Sequence, residues 1–267
     1  MSADARPFAN RPGRAGLTVP GDLRSALSPA ATFERAFGVA PFLWQQRFLA
    51  ETGNVVLLKG RQVGASTAVA ALCIHAAVFE PGSLSVIVSP TMRQSMEIAA
   101  KARAALRNLD RPEPLDADSA TTIGLSSGSR IMSLPGTATS IRGYSARLLV
   151  VDEAAFVDEE TWQASQALVA ATGGRIIVLS TPAGRAGWFH DLWQAEPPAW
   201  TTIKVRTADV PTVTAAYLES AKATLGPWAY AMEFEAEFGS GGASIFDEQR
   251  LWGLVTDKVP PLFGSEP

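Results

Sequence analysis

The sequence has few cysteines and histidines and no long apolar run, so it lacks the basis for a disulfide framework, a zinc site or a membrane span. Its one cysteine, Cys73, excludes an intramolecular disulfide framework and fits a reducing compartment. The two histidines, His75 and His190, are far apart and lack zinc-ligand spacing. No apolar run reaches the roughly 18 residues of a membrane helix, and the N-terminus lacks the apolar segment of a signal peptide. We therefore expect a soluble cytoplasmic protein without membrane contact.

A strong net charge is also missing. The formal charge is -3, so no global basic character points to nucleic acid, and any contact with DNA has to be local. The hydrophobic share of 47% is enough for a large core. The length of 267 residues fits one sizeable domain with appendages.

The stretch NVVLLKGRQVGAST, Asn54–Thr67, is the most informative part of the chain. It begins with an apolar run typical of a buried strand, passes through Gly60 and Gly64, and continues through Ser66-Thr67 into an alanine-rich helical pattern. Glycines let backbone N–H groups converge on an anion, the helix N-terminus adds positive charge, and a hydroxyl there can bind Mg²⁺. This layout predicts a P-loop that binds nucleotide phosphates.

The loop departs from the usual GxxxxGK[ST] pattern at two positions. Ala65 replaces the lysine before Ser66, and Lys59 occupies the first glycine position, with Arg61 as a second cation. A glycine-rich turn between a strand and a helix also occurs in α/β proteins without a nucleotide. The loop alone therefore leaves both interpretations open.

Two further apolar runs end in polar groups that fit a nucleotide site. Leu148–Val151 is followed by Asp152-Glu153, where the aspartate can hold Mg²⁺ and the glutamate can polarise the attacking water. The run IIVLSTP ends in Ser180-Thr181, whose hydroxyls can sense the γ-phosphate. Plain strand exits into solvent are the alternatives. Because ligands bind beyond the carboxyl ends of parallel strands, we expect the three sites to converge.

Six segments between about residues 41 and 246 carry a family resemblance: FLWQQRFL, LKGRQVGAST, VIVSPTMRQS, SIRGYSARLLVVDEAAFVD, LSTPAGRAGWFHDLW and FEAEF. They resemble the ATPase domain of large terminase subunits, the DNA-packaging motors of tailed phages. Many members have a loop of the form K-x-R-Q-x-G-x-S, so Ala65 is expected there. The resemblance implies an α/β fold of the P-loop NTPase type (ASCE, RecA/helicase-like), in which helices flank a mostly parallel sheet, with a small helical lid.

The resemblance also implies roles for individual residues. Lys59 substitutes for the missing loop lysine, Gln45 reads the adenine edge, Arg61 matches an arginine linked to coupling, and Arg142 matches one that acts on the neighbouring subunit's nucleotide. A surface glutamine and a surface or ion-paired arginine are the alternatives for Gln45 and Arg142. With ATP and Mg²⁺ as cofactors, the predicted catalytic residues are Glu153, Arg142 and Arg61, and the predicted metal ligands are Ser66 and Asp152. The predicted nucleotide-binding residues are Gln45, Lys59, Gly60, Arg61, Gln62, Val63, Gly64, Ala65, Ser66, Thr67, Ser180 and Thr181.

The implied function is ATP-driven translocation of double-stranded DNA into a viral procapsid in the host cytoplasm. The implied partners are the DNA, the portal protein, the small terminase subunit and further copies of the chain in a ring, although the chain alone can be a monomer. Large terminases usually add a nuclease domain, but Asp247, Glu248 and Asp257 are too few and too irregular for its two-metal site. We therefore expect no DNA cleavage, and either an isolated motor domain or a split arrangement with the nuclease on another polypeptide.

The sequence predicts four regions: a flexible arm (1–27), an ATPase core (28–206), a lid (207–246) and a tail without a nuclease domain (247–267). Within the core, a loop at 110–119 precedes a hairpin with strands at 121–125 and 130–134. In the lid, helices are expected at 213–225 and 227–238.

Two other functions fit part of the sequence. A degenerate nucleotide-binding scaffold in a larger assembly is favoured by Ala65, whereas the intact Asp152-Glu153 pair favours an active enzyme. A helicase-like DNA-dependent ATPase unrelated to packaging would share the motifs up to the Asp152 strand. The segments RGYSARLLVVDEAAF and FEAEF argue against it.

Overall fold

The computed structural model describes residues 19–109 and 115–239. Its helices are α1 (Val19–Leu27), α2 (Pro29–Phe37), α3 (Leu43–Ala50), α4 (Ala65–Phe79), α5 (Met92–Asn108), α6 (Ala138–Ile141), α7 (Glu159–Ala170), α8 (Trp188–Ala195) and α9 (Ala215–Glu235). Its strands are β1 (Asn54–Lys59), β2 (Leu84–Ser89), β3 (Leu115–Asp118), β4 (Thr122–Leu125), β5 (Arg130–Pro135), β6 (Leu148–Asp152), β7 (Arg175–Ser180) and β8 (Trp200–Val205). The predicted hairpin is present as β4 and β5.

The strands of the described ranges form one eight-stranded sheet in the order β3-β4-β5-β2-β6-β7-β1-β8. The strands from β5 to β8 in that order run parallel to one another. At one edge of the sheet, β4 pairs antiparallel with both β5 and β3. β7 pairs with both β1 and β6, so it separates the loop strand from the strand that ends in Asp152. The predicted fold class, a mostly parallel P-loop NTPase sheet flanked by helices, is confirmed.

The apolar runs of the strands are buried on both faces, as in other parallel sheets. In β1, Val55 and Leu57 belong to one core cluster, which α2 to α5 cover. Val56 and Leu58 point to the opposite cluster, which α7 and α8 cover. Consecutive β1 side chains thus supply two cores, because side chains alternate along a strand.

Polar caps fix where the main helices begin. The Ser28 hydroxyl accepts a hydrogen bond from the Ala31 backbone N–H at 3.3 Å, as the Ser-Pro pair predicts. Asp158 accepts one from the Thr161 N–H at 2.8 Å and begins α7. Thr91 and Gln94 form a capping box at α5. That box fixes the start of α5 directly after β2.

Two predicted irregular segments are partly regular in the structure. Residues 19–27 of the predicted arm form α1, whose Arg24 pairs with Glu34 of α2 at 3.1 Å. Residues 115–118 of the predicted loop form β3, because their backbone pairs with the free edge of β4. The rest of the predicted arm, residues 110–114 and the predicted tail with Asp247, Glu248 and Asp257 lie outside the described residues.

The two predicted lid helices appear as one interrupted helix, α9. Gly226 has φ 75° and ψ 162°, and Pro227 follows it, so the helix is kinked there into two halves. Phe234 of the second half is 4% exposed and stacks on Tyr230 at 5.1 Å between ring centroids. Within the ranges that the structure describes, no helix is both long and apolar enough to cross a bilayer.

Candidate functional site

The carboxyl edge of the sheet brings the three predicted motifs together. Leu58 lies opposite Ser180, and Asp152 lies opposite Leu179, so the loop, the carboxylates and the hydroxyl pair follow neighbouring strands. A cleft of about 630 Å³ opens at this edge, within the usual size range of ligand pockets. Six predicted residues line it: Lys59, Arg61, Gln62, Ser66, Glu153 and Thr181.

A smaller hollow of about 280 Å³ lies within the loop itself. Predicted residues from Lys59 to Ser66 line it, apart from Arg61. Gly64 is the N-cap of α4, and Val63 and Ala65 are buried in the core at 1% and 6% exposure. Ser66 borders both spaces from the first turn of α4, whereas Thr67 borders neither. The loop thus has the shape of a P-loop around a hollow at a helix N-terminus.

Gln45 supports the loop instead of facing the cleft. Its Nε2 donates to the Gly64 carbonyl at 3.0 Å, and its Oε1 accepts from the Phe42 N–H at 2.8 Å. The residue is 2% exposed. Both ends of the amide bind the backbone in this structure, and the predicted contact with adenine stays a prediction. A buried glutamine with two backbone partners is a support for the loop.

The space beside Gly60 leaves no room for a side chain. A Cβ at this position would lie 2.5 Å from Thr207 Oγ1 and 2.7 Å from the Phe234 carbonyl oxygen. The Gly60 N–H donates to the Val205 carbonyl at 2.8 Å. Gly60 also borders the loop hollow, so its predicted contact with a nucleotide stays a prediction, while its N–H is bound to β8.

Arg61 joins the loop to the second half of α9. Its N–H donates to the Glu233 carbonyl at 2.7 Å, and its guanidinium pairs with the Glu233 carboxylate, with Nη2 3.2 Å from Oε1. The hydrogen bond with Glu233 raises the pKa of Arg61, so the guanidinium stays charged. Arg61 lines the cleft as predicted, but its main partner is the lid.

Lys59 and Glu153 form a largely buried ion pair across β7. The Lys59 Nζ donates to Glu153 Oε1 at 2.9 Å, and the two side chains are 10% and 24% exposed. Ser180, which is fully buried, donates to Glu153 Oε2 at 3.4 Å. Ser180 therefore positions Glu153, and its predicted contact with the γ-phosphate stays a prediction. Thr181, the next residue, lines the cleft instead.

The backbone of Glu153 is strained. Its φ of 50° and ψ of 45° lie in the left-handed region, which costs a residue other than glycine about 1–3 kcal/mol. The conformation turns the chain sharply at the end of β6, while Lys59 and Ser180 bind the carboxylate. Strain of this kind is typical of functional sites.

Asp152 is 8% exposed at the end of β6. Burial raises the pKa of its carboxyl to about 6, the charge of Lys59 opposes that shift, and the charge of Glu153 adds to it. An oxygen ligand with a poorly solvated charge is suited to a hard cation. Together with the Ser66 hydroxyl, Asp152 supplies the donors that Mg²⁺ prefers.

Arg142 lies apart from the lining of the cleft. It follows α6, its side chain is 68% exposed, and its Nη2 is 3.8 Å from Glu160 Oε1, which is also exposed. An exposed pair at this distance contributes little. The structure therefore leaves the guanidinium accessible from outside the subunit.

Sequence reasoning missed several residues of the cleft. Gln94 and Glu97 of α5 and Glu233 of α9 line the wide part, and Lys101 of α5 lines the loop hollow. Three of them share one face of α5, at positions i, i+3 and i+7. The sequence of α5 is amphipathic. It does not show which of the polar residues face the loop, because that depends on how α4 and α5 pack together.

The topology and the site together define a P-loop NTPase of the ASCE class, in which β7 is the strand inserted between the loop strand and the Asp152 strand. The family model described as "Terminase large subunit, T4likevirus-type, N-terminal" matches residues 56–251. The chain therefore belongs to this family of phage large-terminase domains.

Solved structures agree with that assignment at the level of fold. The large terminase ATPase domain of Thermus phage P74-26 is 20% identical over 79% of this chain and 99% of that one, with a TM-score of 0.65. A large terminase from a thermophilic bacteriophage, solved in complex with ADP, is 12% identical over 78% of this chain, with a TM-score of 0.61. The HK97 bacteriophage large terminase is 17% identical over 78% of this chain, with a TM-score of 0.58.

This chain spans about half of the last two proteins, at 53% and 48% of their lengths. No curated protein matches it.

Proposed function

We propose that this domain hydrolyses ATP to drive double-stranded DNA into a viral procapsid. The observation that carries the proposal is the placement of Glu153. Lys59 and Ser180 bind its carboxylate at the lining of the cleft, directly after Asp152 in the chain and beside the loop. A scaffold that only binds nucleotide has no physical need for a strained, supported glutamate at that point.

Glu153 is the general base in this proposal. It orients the attacking water and accepts its proton, and the Lys59 ammonium fixes its carboxylate. Lys59 also lines the loop hollow, so it can contact the phosphates from the same position. Thr181, which follows β7 and also lines the cleft, would sense the γ-phosphate.

Asp152 and Ser66 would hold Mg²⁺, because both offer oxygen donors at the carboxyl edge of the sheet, Asp152 at the end of β6 and Ser66 in the first turn of α4. When bound, the ion neutralises charge on the phosphates. The loop residues after Arg61 would bind the phosphate oxygens, since the Gly60 and Arg61 amides bind β8 and the lid. One relative was solved with ADP and another structure of it with ATP-gamma-S, which supports nucleotide as the ligand.

Arg142 would serve a neighbouring subunit. Its guanidinium is exposed and holds only a long contact with Glu160, so it is free to reach another copy's nucleotide. A planar donor supplied to the γ-phosphate stabilises the charge that spreads over its oxygens. The proposal therefore includes a homo-oligomeric ring, with the portal protein and the small terminase subunit as partners in the host cytoplasm. A nuclease would act from a separate polypeptide or segment.

The test is ATP hydrolysis by the full chain, measured with and without double-stranded DNA and with and without portal-bearing procapsids. We expect turnover to rise when both are present. DNA packaged into procapsids would be measured as protection from nuclease. Equal turnover with and without DNA and procapsids would refute coupling to packaging. Absence of turnover under all these conditions would refute the proposed ATPase activity.

A further inference from the structure

The loop hollow contains a cation whose role the motifs do not explain. Lys101 of α5 borders the hollow opposite the loop backbone. It lies one turn after Glu97 and two turns after Gln94, which line the wide cleft. Ile98 and Ala102 on the buried side of α5 hold this face of the helix toward α4. Lys101 is therefore part of the wall of the site by packing and not by motif.

The direction of α5 favours contact between Lys101 and the loop. The helix begins directly after β2, at the carboxyl edge of the sheet. Helical side chains lean toward the N-terminus of their own helix. A long side chain at Lys101 therefore leans toward the edge where the loop and Asp152 lie.

The ion pairs of the site leave Lys101 available. Lys59 is paired with Glu153, and Arg61 is paired with Glu233. Among the residues that the structure describes, Lys101 takes part in no ion pair or hydrogen bond. Ala65, at the position where a P-loop lysine usually lies, offers no charge. The hollow thus has one unpaired ammonium and lacks its usual one.

We propose that Lys101 binds the phosphate chain of the nucleotide from the α5 side and supplies the charge that Ala65 lacks. The proposal rests on the proposed binding of ATP at this site. It assigns two cations to opposite walls: Lys59, which also fixes Glu153, and Lys101, which contributes to affinity alone. The loss of Lys59 and the loss of Lys101 should therefore affect kcat and KM differently.

The test compares Lys101→Gln, Lys101→Arg and Arg107→Gln in the full chain. Arg107→Gln is the matched control, because Arg107 lies on the same helix and pairs with Asp118 outside both spaces. The dissociation constant of a non-hydrolysable ATP analogue with Mg²⁺ would be measured over a range of salt concentrations. We expect Lys101→Gln to weaken binding about tenfold, the lower end for a charged hydrogen bond, and to reduce its salt dependence.

The other variants separate charge from structure. Lys101→Arg should restore most of the affinity, and Arg107→Gln should bind as the parent does. At saturating ATP, Lys101→Gln should keep most of the parent turnover, whereas its KM should rise by about the same factor as its dissociation constant. A KM effect without a matching fall in kcat would distinguish phosphate binding from a general disturbance of the site.

Two results would overturn the inference while leaving the proposed function intact. One is that the parent binds and hydrolyses ATP while Lys101→Gln binds the ATP analogue no more weakly than Arg107→Gln does. The other is a Lys101→Arg variant as weak as Lys101→Gln, since the charge would then be irrelevant. A parent that binds no nucleotide would instead refute the proposed function and this inference together.

Discussion

Removing Lys59 should leave the Glu153 carboxylate as a poorly solvated charge without its partner. The pair has an N–O distance of 2.9 Å, and its side chains are 10% and 24% exposed. Exposed pairs contribute about 0–1 kcal/mol, whereas breaking a buried pair costs about 3–5 kcal/mol. Because this pair is largely but not fully buried, we expect Lys59→Met to lower the free energy of unfolding by about 2–3 kcal/mol.

The double variant Lys59→Met with Glu153→Gln should recover most of that loss, because no charge is then left unpaired. The double-mutant cycle, measured by urea denaturation without nucleotide, should give a coupling energy of about 2 kcal/mol. The single Lys59 variant should melt about 4–12 °C lower than the parent, given about 2–4 °C per kcal/mol for a large domain.

The exposed pair Arg24–Glu34 is the matched control for this cycle. Its N–O distance is 3.1 Å, similar to that of Lys59–Glu153, but its side chains are 70% and 41% exposed. Its coupling energy should therefore stay below about 1 kcal/mol. If the Lys59 and Glu153 effects add to within about 0.5 kcal/mol, the two groups do not interact in solution and the proposed positioning of Glu153 is wrong.

Glu153→Gln should retain Mg²⁺-dependent ATP binding but lose turnover by about 10²-fold or more, and near-parental rates in a steady-state assay would contradict its role as base. Burial raises the pKa of Asp152 to about 6, above its ordinary value. The protonated carboxyl therefore contributes to the stability of the fold at low pH, and this contribution is lost as the pH rises through 6. Affinity for Mg²⁺-nucleotide should therefore fall as pH drops below about 6 in the parent, and Asp152→Asn should remove that part of the titration, which calorimetry at several pH values would check. Arg142→Ala should bind ATP normally yet hydrolyse it slowly, and mixing it with Glu153→Gln subunits should restore some activity, because the second variant donates its arginine to the first one's intact site. Rings shown to be mixed but inactive would exclude donation of Arg142 to a neighbouring subunit's site. Full activity of Arg142→Ala alone would exclude any role of Arg142 in hydrolysis.

The sheet and the convergence of its three motifs were predictable because they depend on local patterns. Runs such as Val55–Leu58 are apolar on both faces, which is typical of a central parallel strand. The carboxyl edge of such a sheet then places Asp152 and Lys59 together without further information. The kink in α9 was equally local, since Gly226 and Pro227 interrupt the helical pattern directly.

The partners of individual side chains were not predictable, because they depend on packing between distant segments. Gly60 was interpreted as a phosphate-loop glycine, but Thr207 and Phe234 occupy the space beside it. Gln45 was expected at the adenine, but its amide supports Gly64. Ser180 and Thr181 looked equivalent in the sequence, although side chains alternate along a strand and only the second faces the cleft.

The bonds between the loop and α9 determine which parts of the domain can move independently. Arg61 binds Glu233 through both its backbone and its guanidinium, and the Phe234 carbonyl lies where a side chain at residue 60 would be. A displacement of the loop must therefore carry the second half of α9 with it or break these bonds. The first half of α9 is joined to that half through Gly226, whose backbone is not helical, and through the ring contact of Tyr217 with Phe234 at 6.1 Å between centroids. The loop and residues 227–235 therefore move together, and a change in the angle of the first half at Gly226 would break the contact between Tyr217 and Phe234.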